Sequence, residues 1–198
     1  MPISRRHNAV FVHIPKTGGQ SVSQFLGIEK GSKDCFYKEG LTHLTLPMIE
    51  ERVDIKGMYI FTFVRNPYTR VASEYVWRMR NRSSAVFNEP TRELLTFSVY
   101  METLLKRWDN IKLTTDHARW REVAHVIPQV TYLDDRINIF RFEKFKAECE
   151  ILRRMFNIPH SLNHVNRGSV VPNHTERTRE ITRELYKEDF KAFGYNLD

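Results

Sequence analysis

A short run near the amino terminus combines residue types that bind anions. Residues 13–21 read His-Ile-Pro-Lys-Thr-Gly-Gly-Gln-Ser. The pair Gly18-Gly19 permits a tight turn and a close backbone approach, and Lys16 adds a mobile positive charge. A helix that begins behind the glycines offers unpaired N–H groups and the positive end of its dipole. The run therefore predicts a loop that holds phosphate or sulfate, with a plain glycine turn beside an exposed lysine as the alternative.

A second candidate anion site follows a later apolar segment. Residues 63–75 read Phe-Val-Arg-Asn-Pro-Tyr-Thr-Arg-Val-Ala-Ser-Glu-Tyr. Arg65 leaves the end of a predicted strand, where a guanidinium can fork onto a phosphate. Ser73 lies on the predicted helix that follows and can donate to the same group. Taken alone, the segment is as compatible with a structural role, a helix-capping turn with Arg65 in an ordinary surface ion pair, as with a phosphate site.

The elements that must position these residues alternate along the chain. Apolar runs rich in β-branched and aromatic residues predict buried strands at 9–14, 59–64 and 137–142. Helices are predicted over 20–26, 68–82, 91–108, 117–126, 144–156 and 176–193. This order predicts an α/β fold with a mainly parallel central sheet flanked by helices. Ligands of such sheets bind beyond the carboxyl ends of the strands, where both candidate segments lie.

Both segments resemble motifs of one family, the carbohydrate sulfotransferases. The first resembles the family's 5′-phosphosulfate loop, His-Ile-Pro-Lys-Thr-Gly-Gly-Thr-Ser, with Gln20 in place of threonine and one hydroxyl donor fewer. The second resembles its 3′-phosphate signature, Arg-Asn-Pro-Tyr-Asp-Arg followed by Ser-x-Tyr, with Thr69 in place of aspartate. Looser similarity covers nearly the whole chain and includes Pro128-Gln129, Tyr132-Leu133, Arg141-Phe142-Glu143, Asn166, Asp189 and Phe193-Gly194-Tyr195.

The resemblance implies an activity and a set of site residues. It implies transfer of a sulfuryl group from 3′-phosphoadenosine 5′-phosphosulfate (PAPS) to a hydroxyl, on a carbohydrate, with 3′-phosphoadenosine 5′-phosphate (PAP) as product. We expect no metal, because the donor is itself an activated anhydride. It also implies the three-layer architecture shared by sulfotransferases and nucleotide kinases. The residues implied in donor binding are Pro15, Lys16, Thr17, Gly18, Gly19, Gln20, Ser21, Arg65, Ser73 and, by a looser match to an Arg-Lys-Gly loop, Arg167.

Two residues are predicted to carry the chemistry of transfer. Lys16 is placed to neutralise the charge that spreads over the transferring group and the leaving phosphate. His43 is the predicted general base, because histidine titrates in the right range and the family often has a catalytic histidine between the two donor motifs. Glu74 and Glu143 are alternative bases, and a structural role for His43 stays open. His13, at the strand end, is expected to be structural.

Other functions and sites are less well supported. A nucleotide-dependent kinase is the main alternative, but the lysine precedes the glycines, unlike in the Walker loop, and no magnesium-binding aspartate is evident. A non-catalytic basic module for glycans or nucleic acid would leave both motifs as coincidence. His160 and His164 are four residues apart and could ligate a metal on a helix, but no third ligand is evident. The alternating arginines at 78, 80 and 82 fit a solvated helix face or a groove for an anionic acceptor.

Composition sets the remaining expectations. The chain has 198 residues, which predicts a single domain over 1–198. Lys plus Arg exceeds Asp plus Glu by 31 to 24, and the net charge of +7 favours an anionic partner such as a charged saccharide. We expect no nucleic-acid partner and no membrane anchor, since no stretch approaches about 20 apolar residues and no signal peptide is visible. Cys35 and Cys149 are expected to be reduced thiols, and a cytoplasmic location follows. The oligomeric state and the acceptor stay open.

Overall fold

The computed structural model describes residues 3–28, 43–81, 96–112, 120, 123–160 and 171–198. The chain divides into two compact units. Residues 1–65 and 131–167 form the first, and residues 66–130 and 168–198 form the second. The single domain expected from the length stays a prediction.

The described elements are short strands and helices. The strands are β1 (Ile3–Ser4), β2 (Ala9–Phe11), β3 (Tyr59–Val64) and β4 (Asn138–Arg141). The helices are α1 (Gly19–Phe25), α2 (Leu46–Glu50), α3 (Pro67–Asn81), α4 (Phe97–Lys106), α5 (Trp108–Lys112), α6 (Phe145–Met155), α7 (Glu176–Leu185) and α8 (Lys187–Phe193). Short 3-10 turns cover Gln129–Tyr132 and Phe142–Lys144.

The first unit contains a four-stranded sheet in the order β1-β2-β3-β4. The strands β2, β3 and β4 are parallel neighbours, and β1 runs antiparallel to β2 at the edge. A mainly parallel sheet with helices packed on it confirms the predicted α/β class and fits the three-layer architecture. The strand β1 was not predicted, because two residues are too few to show an alternating pattern.

One face of this sheet is a continuous aromatic layer. Phe11 lies opposite Phe61, and Phe63 lies opposite Phe140. Because side chains alternate along a strand, these four rings point to the same side. The ring centroids of Phe11 and Phe61 are 5.2 Å apart, and those of Phe63 and Phe140 are 5.5 Å apart. Offset stacking contacts of this kind stabilise a core beyond the burial of area alone.

The helices α1 and α6 cover the aromatic layer. Val22 and Phe25 of α1 and Cys149 and Leu152 of α6 are buried against it in one cluster. Burial raises the pKa of the Cys149 thiol to about 12. The thiol is therefore protonated and unreactive at neutral pH, as expected for a structural cysteine. Cys35 lies outside the described residues.

In the second unit, buried side chains of other elements hold one irregular segment in place, residues 125–130. Within α3, Arg70 donates from Nη1 to the carbonyl oxygen of Ile127 at 3.0 Å and from Nη2 to that of His125 at 3.3 Å. The hydroxyl of Tyr186 donates to the carbonyl oxygen of Val126 at 2.7 Å. Three consecutive carbonyl groups are thus satisfied by side chains, which fixes a segment that has no regular partner strand in the described unit.

The next part of the same segment is held by a buried carboxylate. Asp189 accepts hydrogen bonds from the backbone N–H of Gln129 at 2.9 Å, from the side-chain amide of Gln129 at 3.2 Å, and from the N–H of Val130 at 3.0 Å. The pKa of Asp189 is raised overall, because burial disfavours the charged carboxylate more than Arg70 and these N–H donors favour it. The N–H groups open a 3-10 turn, so they have no partner within the turn itself.

Two predicted helices differ from the observed ones. The last helix, predicted as 176–193, is wrong as a single element, because it breaks at Tyr186, where φ is −118° and ψ is 24°. The break sets the Tyr186 hydroxyl against Val126 while the Tyr186 N–H still bonds Thr182. Of the helix predicted over 91–108, residues 91–95 lie outside the described residues. The observed α4 begins at Phe97, where Thr96 caps it by accepting from the N–H of Val99 at 3.3 Å.

Most of the remaining predicted elements agree with the structure to within a few residues at each end, and the helix predicted over 117–126 agrees only in part. Pro67 opens α3, as the residue's missing N–H favours. Of the helix predicted over 117–126, the structure describes 120 and 123–126, and 124–126 form a turn. Within the part of the chain that the structure describes, no helix is long and apolar enough to cross a membrane. The cytoplasmic location stays a prediction.

We predict that Asp189→Asn lowers the free energy of unfolding by about 3 kcal/mol. An amide offers one acceptor oxygen where the carboxylate offers two, and its NH₂ group would face N–H donors. Urea denaturation at pH 7 measures the change. The exposed neighbour Glu188 provides the control, and Glu188→Gln should change stability by less than about 0.5 kcal/mol. Equal effects of the two substitutions would contradict the anchoring role of Asp189.

Candidate active site

The loop between β2 and α1 is closed by its own side chains. Beyond β2, the N–H of Val12 still bonds the carbonyl oxygen of Phe61 at 2.9 Å. The hydroxyl of Thr17 is fully buried and donates to the carbonyl oxygen of Ile14 at 2.8 Å. This side chain therefore shapes the turn around Pro15. Any contact of Thr17 with a bound anion is left to its backbone N–H.

Two residues of the loop have left-handed backbone conformations. Lys16 has a φ of 70° and Gly18 a φ of 83°. A Cβ atom built on Gly18 would lie 2.8 Å from a ring carbon of Phe145, so the site excludes any side chain. Lys16 has a side chain, and the left-handed conformation costs it about 1–2 kcal/mol. Surrounding contacts must offset this cost.

Gly19 is required for a different reason, the close approach of the His13 ring. A Cβ atom on Gly19 would lie 1.9 Å from that ring. The ring also stacks on Phe11, with centroids 5.5 Å apart and planes at 17°. His13 thus packs in the space that a side chain at Gly19 would occupy, which is the structural role expected of it. Because of this contact, α1 begins directly beside the end of β2.

His43 packs against the first residue of the loop. Its Nδ1 lies 3.0 Å from the backbone carbonyl oxygen of His13, and the two rings meet edge to face with centroids 4.4 Å apart. A carbonyl oxygen only accepts, so in the neutral imidazole Nδ1 carries the proton and Nε2 has the lone pair. The structure therefore brings the predicted base to the carboxyl end of β2 in a tautomer whose Nε2 can accept a proton.

Arg65 connects the two predicted anion segments. It follows β3, and its Nη1 donates to the carbonyl oxygen of Lys16 at 3.1 Å. Its guanidinium carbon lies 4.4 Å from the centroid of the Phe142 ring. The side chain of Arg65, beyond β3, is thus bonded to the backbone of Lys16, in the loop beyond the adjacent parallel strand β2. This geometry suits a ligand with more than one anionic group.

The residues of α3 belong to the second unit and show a different environment. Ser73 is half-buried. Glu74 is buried, with Oε1 2.7 Å from Nε of Arg78 and Oε2 2.9 Å from Nδ1 of His125. Arg78 is 2 % exposed, so the solvated face or acceptor groove predicted for it is wrong, while Arg80 is exposed. Because each carboxylate oxygen of Glu74 lies against a nitrogen of Arg78 or His125, Glu74 is a weaker candidate for the base.

The other predicted site residues have varied surroundings. Gln20 is exposed at the start of α1, Ser21 is buried, and Glu143 is exposed on the turn after β4. Arg167 lies outside the described residues, as do His164 and Arg82. Within the described ranges no cluster of three or more His, Cys, Asp or Glu side chains forms a candidate metal site.

Sequence reasoning missed the aromatic support of the loop. Phe142 and Phe145 follow β4 directly, with ring centroids 5.3 Å apart, and both contact the space beside Gly18. The available signal was their position: two aromatic residues, three apart, come directly after a strand parallel to those that carry the loop and Arg65.

Nearly the whole chain matches the model of one protein family. The model of the Sulfotransferase family matches residues 1–196. The chain therefore belongs to the sulfotransferase family, and the loop, Lys16 and Arg65 lie within the match. Neither the curated proteins nor the solved structures include a significant match to this chain.

We predict that Gly19→Ala destabilises the protein by about 2 kcal/mol or more, because the added methyl group overlaps the His13 ring. His13→Ala removes the ring, so the same change in that background should cost at least about 1 kcal/mol less. Chemical denaturation of the two single variants and the double variant gives this coupling energy.

Gly57 is the matched control for the cycle. It has a positive φ of 75°, but a Cβ atom there would meet nothing within 4 Å. Gly57→Ala should therefore cost the same with and without the His13 ring. A coupling energy near zero for Gly19 and His13 would show that the ring does not exclude a side chain at Gly19.

Proposed function

We propose that this member of the sulfotransferase family transfers the sulfuryl group of PAPS to a hydroxyl of a saccharide. The observation that carries the proposal is the contact between Lys16 and Arg65, 3.1 Å from Nη1 to the carbonyl oxygen, at the ends of two adjacent parallel strands. PAPS has a phosphosulfate at its 5′ end and a phosphate at its 3′ position. Two linked cationic positions match a ligand of that charge pattern.

In the proposed reaction, the bond between sulfur and the bridging phosphate oxygen breaks as the acceptor oxygen forms a bond to sulfur. Lys16 stabilises the negative charge that develops on the leaving phosphate. The backbone N–H groups at the start of α1 bind the non-bridging oxygens. His43 takes the proton of the acceptor hydroxyl on Nε2, which its hydrogen bond to His13 leaves as the basic nitrogen. The products are a sulfate ester and PAP.

The predicted roles of the other donor-binding residues are part of the proposal. Arg65 binds the 3′-phosphate through its guanidinium group. Ser73 and Arg167 keep the roles that the family resemblance implies. No metal is needed by this chemistry, because the donor is already an activated anhydride.

The charge of the protein supports an anionic saccharide as the acceptor. The net charge of +7 attracts anions over a distance that salt limits to about 10 Å at 0.1 M. Transfer of labelled sulfate to a panel of charged and neutral saccharides and phenols identifies the acceptor. Turnover of phenols alone would contradict the saccharide assignment.

We predict that PAP binds without metal and stabilises the protein more than AMP or ATP does. A ligand at about 100 times its dissociation constant adds about 2.7 kcal/mol. Thermal melts with each nucleotide in EDTA measure the effect. Arg65→Ala should remove the preference for PAP over AMP, because it removes the cation assigned to the 3′-phosphate. Equal stabilisation by ATP and PAP, or a requirement for magnesium, would favour a kinase instead.

We predict that His43→Ala lowers the rate of sulfuryl transfer by roughly a hundredfold and leaves PAP affinity unchanged. The imidazole acts on the acceptor and not on the donor. Single-turnover transfer at saturating PAPS measures the rate, and calorimetry measures the affinity. The value of kcat/KM should also fall as the pH is lowered, since a protonated imidazole accepts no proton, and this acid limb should vanish in the variant.

Lys16→Ala is the comparison for His43→Ala. It should lower both the transfer rate and the donor affinity, because Lys16 is proposed to contact the donor. A His43→Ala enzyme with the wild-type rate and pH profile would show that the histidine is structural. Glu143, which is exposed, would then be the next base to test.

A further inference from the structure

We infer that Phe142 is a positioning residue for sulfuryl transfer and that it acts on Lys16 through Arg65. Phe142, Arg65 and the carbonyl group of Lys16 form a contiguous set, here called the brace. The inference rests on the proposed function in assigning transfer to Lys16. It adds that the group bound to the 3′-phosphate also sets the backbone of the residue at the reacting end of the donor.

The first part of the brace is the strained backbone of Lys16. Its φ of 70° lies in the left-handed region, which a residue with a Cβ atom adopts only when neighbouring contacts hold it there. The Nη1 of Arg65 donates to the carbonyl oxygen of this residue at 3.1 Å. A hydrogen bond from a charged donor is among the stronger ones in proteins, so it offsets part of the strain.

The second part is the position of the Arg65 guanidinium. Its central carbon lies 4.4 Å from the centroid of the Phe142 ring, within cation–π distance. A planar guanidinium beside an aromatic ring loses much of its rotational freedom. The ring therefore limits the directions in which Nη1 can point, and a side chain without a π system would provide bulk but not this attraction.

The third part is that Phe142 is itself fixed at the loop. An edge carbon of its ring lies 3.1 Å from the place where a Cβ on Gly18 would be, and the ring contacts Phe145 with centroids 5.3 Å apart. One ring thus touches both the arginine that holds Lys16 and the glycine two residues after Lys16. Movement of Phe142 must affect the loop from both sides.

The consequence is a coupling between the two ends of the donor. When a 3′-phosphate attracts the guanidinium of Arg65, the guanidinium shifts. The hydrogen bond to Lys16 transmits this shift to the backbone of the 5′-phosphosulfate loop. The 3′-phosphate then contributes to orientation for transfer as well as to affinity. Loss of the brace should lower the transfer rate more than it weakens nucleotide binding, because misplacement of a catalytic group acts mainly on the transition state.

The test compares Phe142→Leu with Phe156→Leu. Both phenylalanines are half-buried and pack against the same hydrophobic cluster, but Phe156 contacts Tyr59 at the amino end of β3. Phe142→Leu should lower single-turnover transfer at saturating PAPS by about tenfold or more, with less than about a threefold change in PAP affinity. Phe156→Leu should transfer at nearly the wild-type rate. Phe142→Tyr keeps the π face and should transfer at nearly the wild-type rate.

A second measurement does not depend on activity. In the ligand-free protein, Phe142→Leu should shift the NMR resonances of the Lys16 backbone amide and the Arg65 Nε–H, and Phe156→Leu should leave them in place. Addition of PAP should shift the Lys16 amide more than addition of AMP in the wild-type protein, and this difference should shrink in Phe142→Leu. Unchanged resonances in Phe142→Leu, or equal transfer rates in the two leucine variants, would overturn the brace.

The outcomes separate this inference from the proposed function. If wild-type protein binds no PAP, the proposed function fails, and the resonances of the ligand-free protein still decide whether the brace exists. If Phe142→Leu does not fold, Arg65→Lys gives the same test, because it keeps the charge and loses the planar group. Arg65→Lys should then shift the Lys16 amide and lower the transfer rate, and an unchanged amide would overturn the brace.

Discussion

The approach of the Gly19 backbone to the His13 ring is the contact on which the arrangement of the site depends. With 1.9 Å between the ring and the position of a Cβ, only glycine permits α1 to begin where it does. The start of a helix is thereby set next to the end of a parallel strand, so that backbone N–H groups and the helix dipole face the region beyond the sheet. The same histidine supplies the carbonyl oxygen to which His43 is bound. Removing this contact would disturb both the loop between β2 and α1 and the proposed base.

The arginines Arg65, Arg78 and Arg136 differ in the groups that they contact. Arg78 lies against the carboxylate of Glu74, and Arg136 forms ion pairs with Glu50 and Asp134. In those pairs a carboxylate offsets the positive charge. Arg65 donates to the carbonyl oxygen of Lys16, and its guanidinium lies beside the ring of Phe142. Two of its contacts are thus with the loop after β2 and with the turn after β4.

The second unit shows how an irregular segment is held without a partner strand. Arg70, Tyr186 and Asp189 satisfy carbonyl and N–H groups of residues 125–130 from buried positions. Such groups would be costly to bury unpaired, and a side chain reaches them because it does not need the register of a strand. His125 is the first residue of this segment, and its Nδ1 lies 2.9 Å from the buried Glu74 carboxylate. The carboxylate that sequence reasoning offered as a base thus takes part in orienting an imidazole.

The sequence by itself determined most of the strands and helices and the types of residue at the site. Alternating apolar runs predicted the three parallel strands, Pro67 marked the start of a helix, and the glycine pair with Lys16 marked the loop, because each signal is local in the chain. Only the tertiary structure decided which groups meet: the carbonyl of Lys16 with Arg65, Phe142 with both, and His43 with His13. It also decided the break at Tyr186 and the burial of Arg78. These features depend on contacts between residues far apart in the chain, or on packing between elements, and periodicity along one element contains no information about its neighbours.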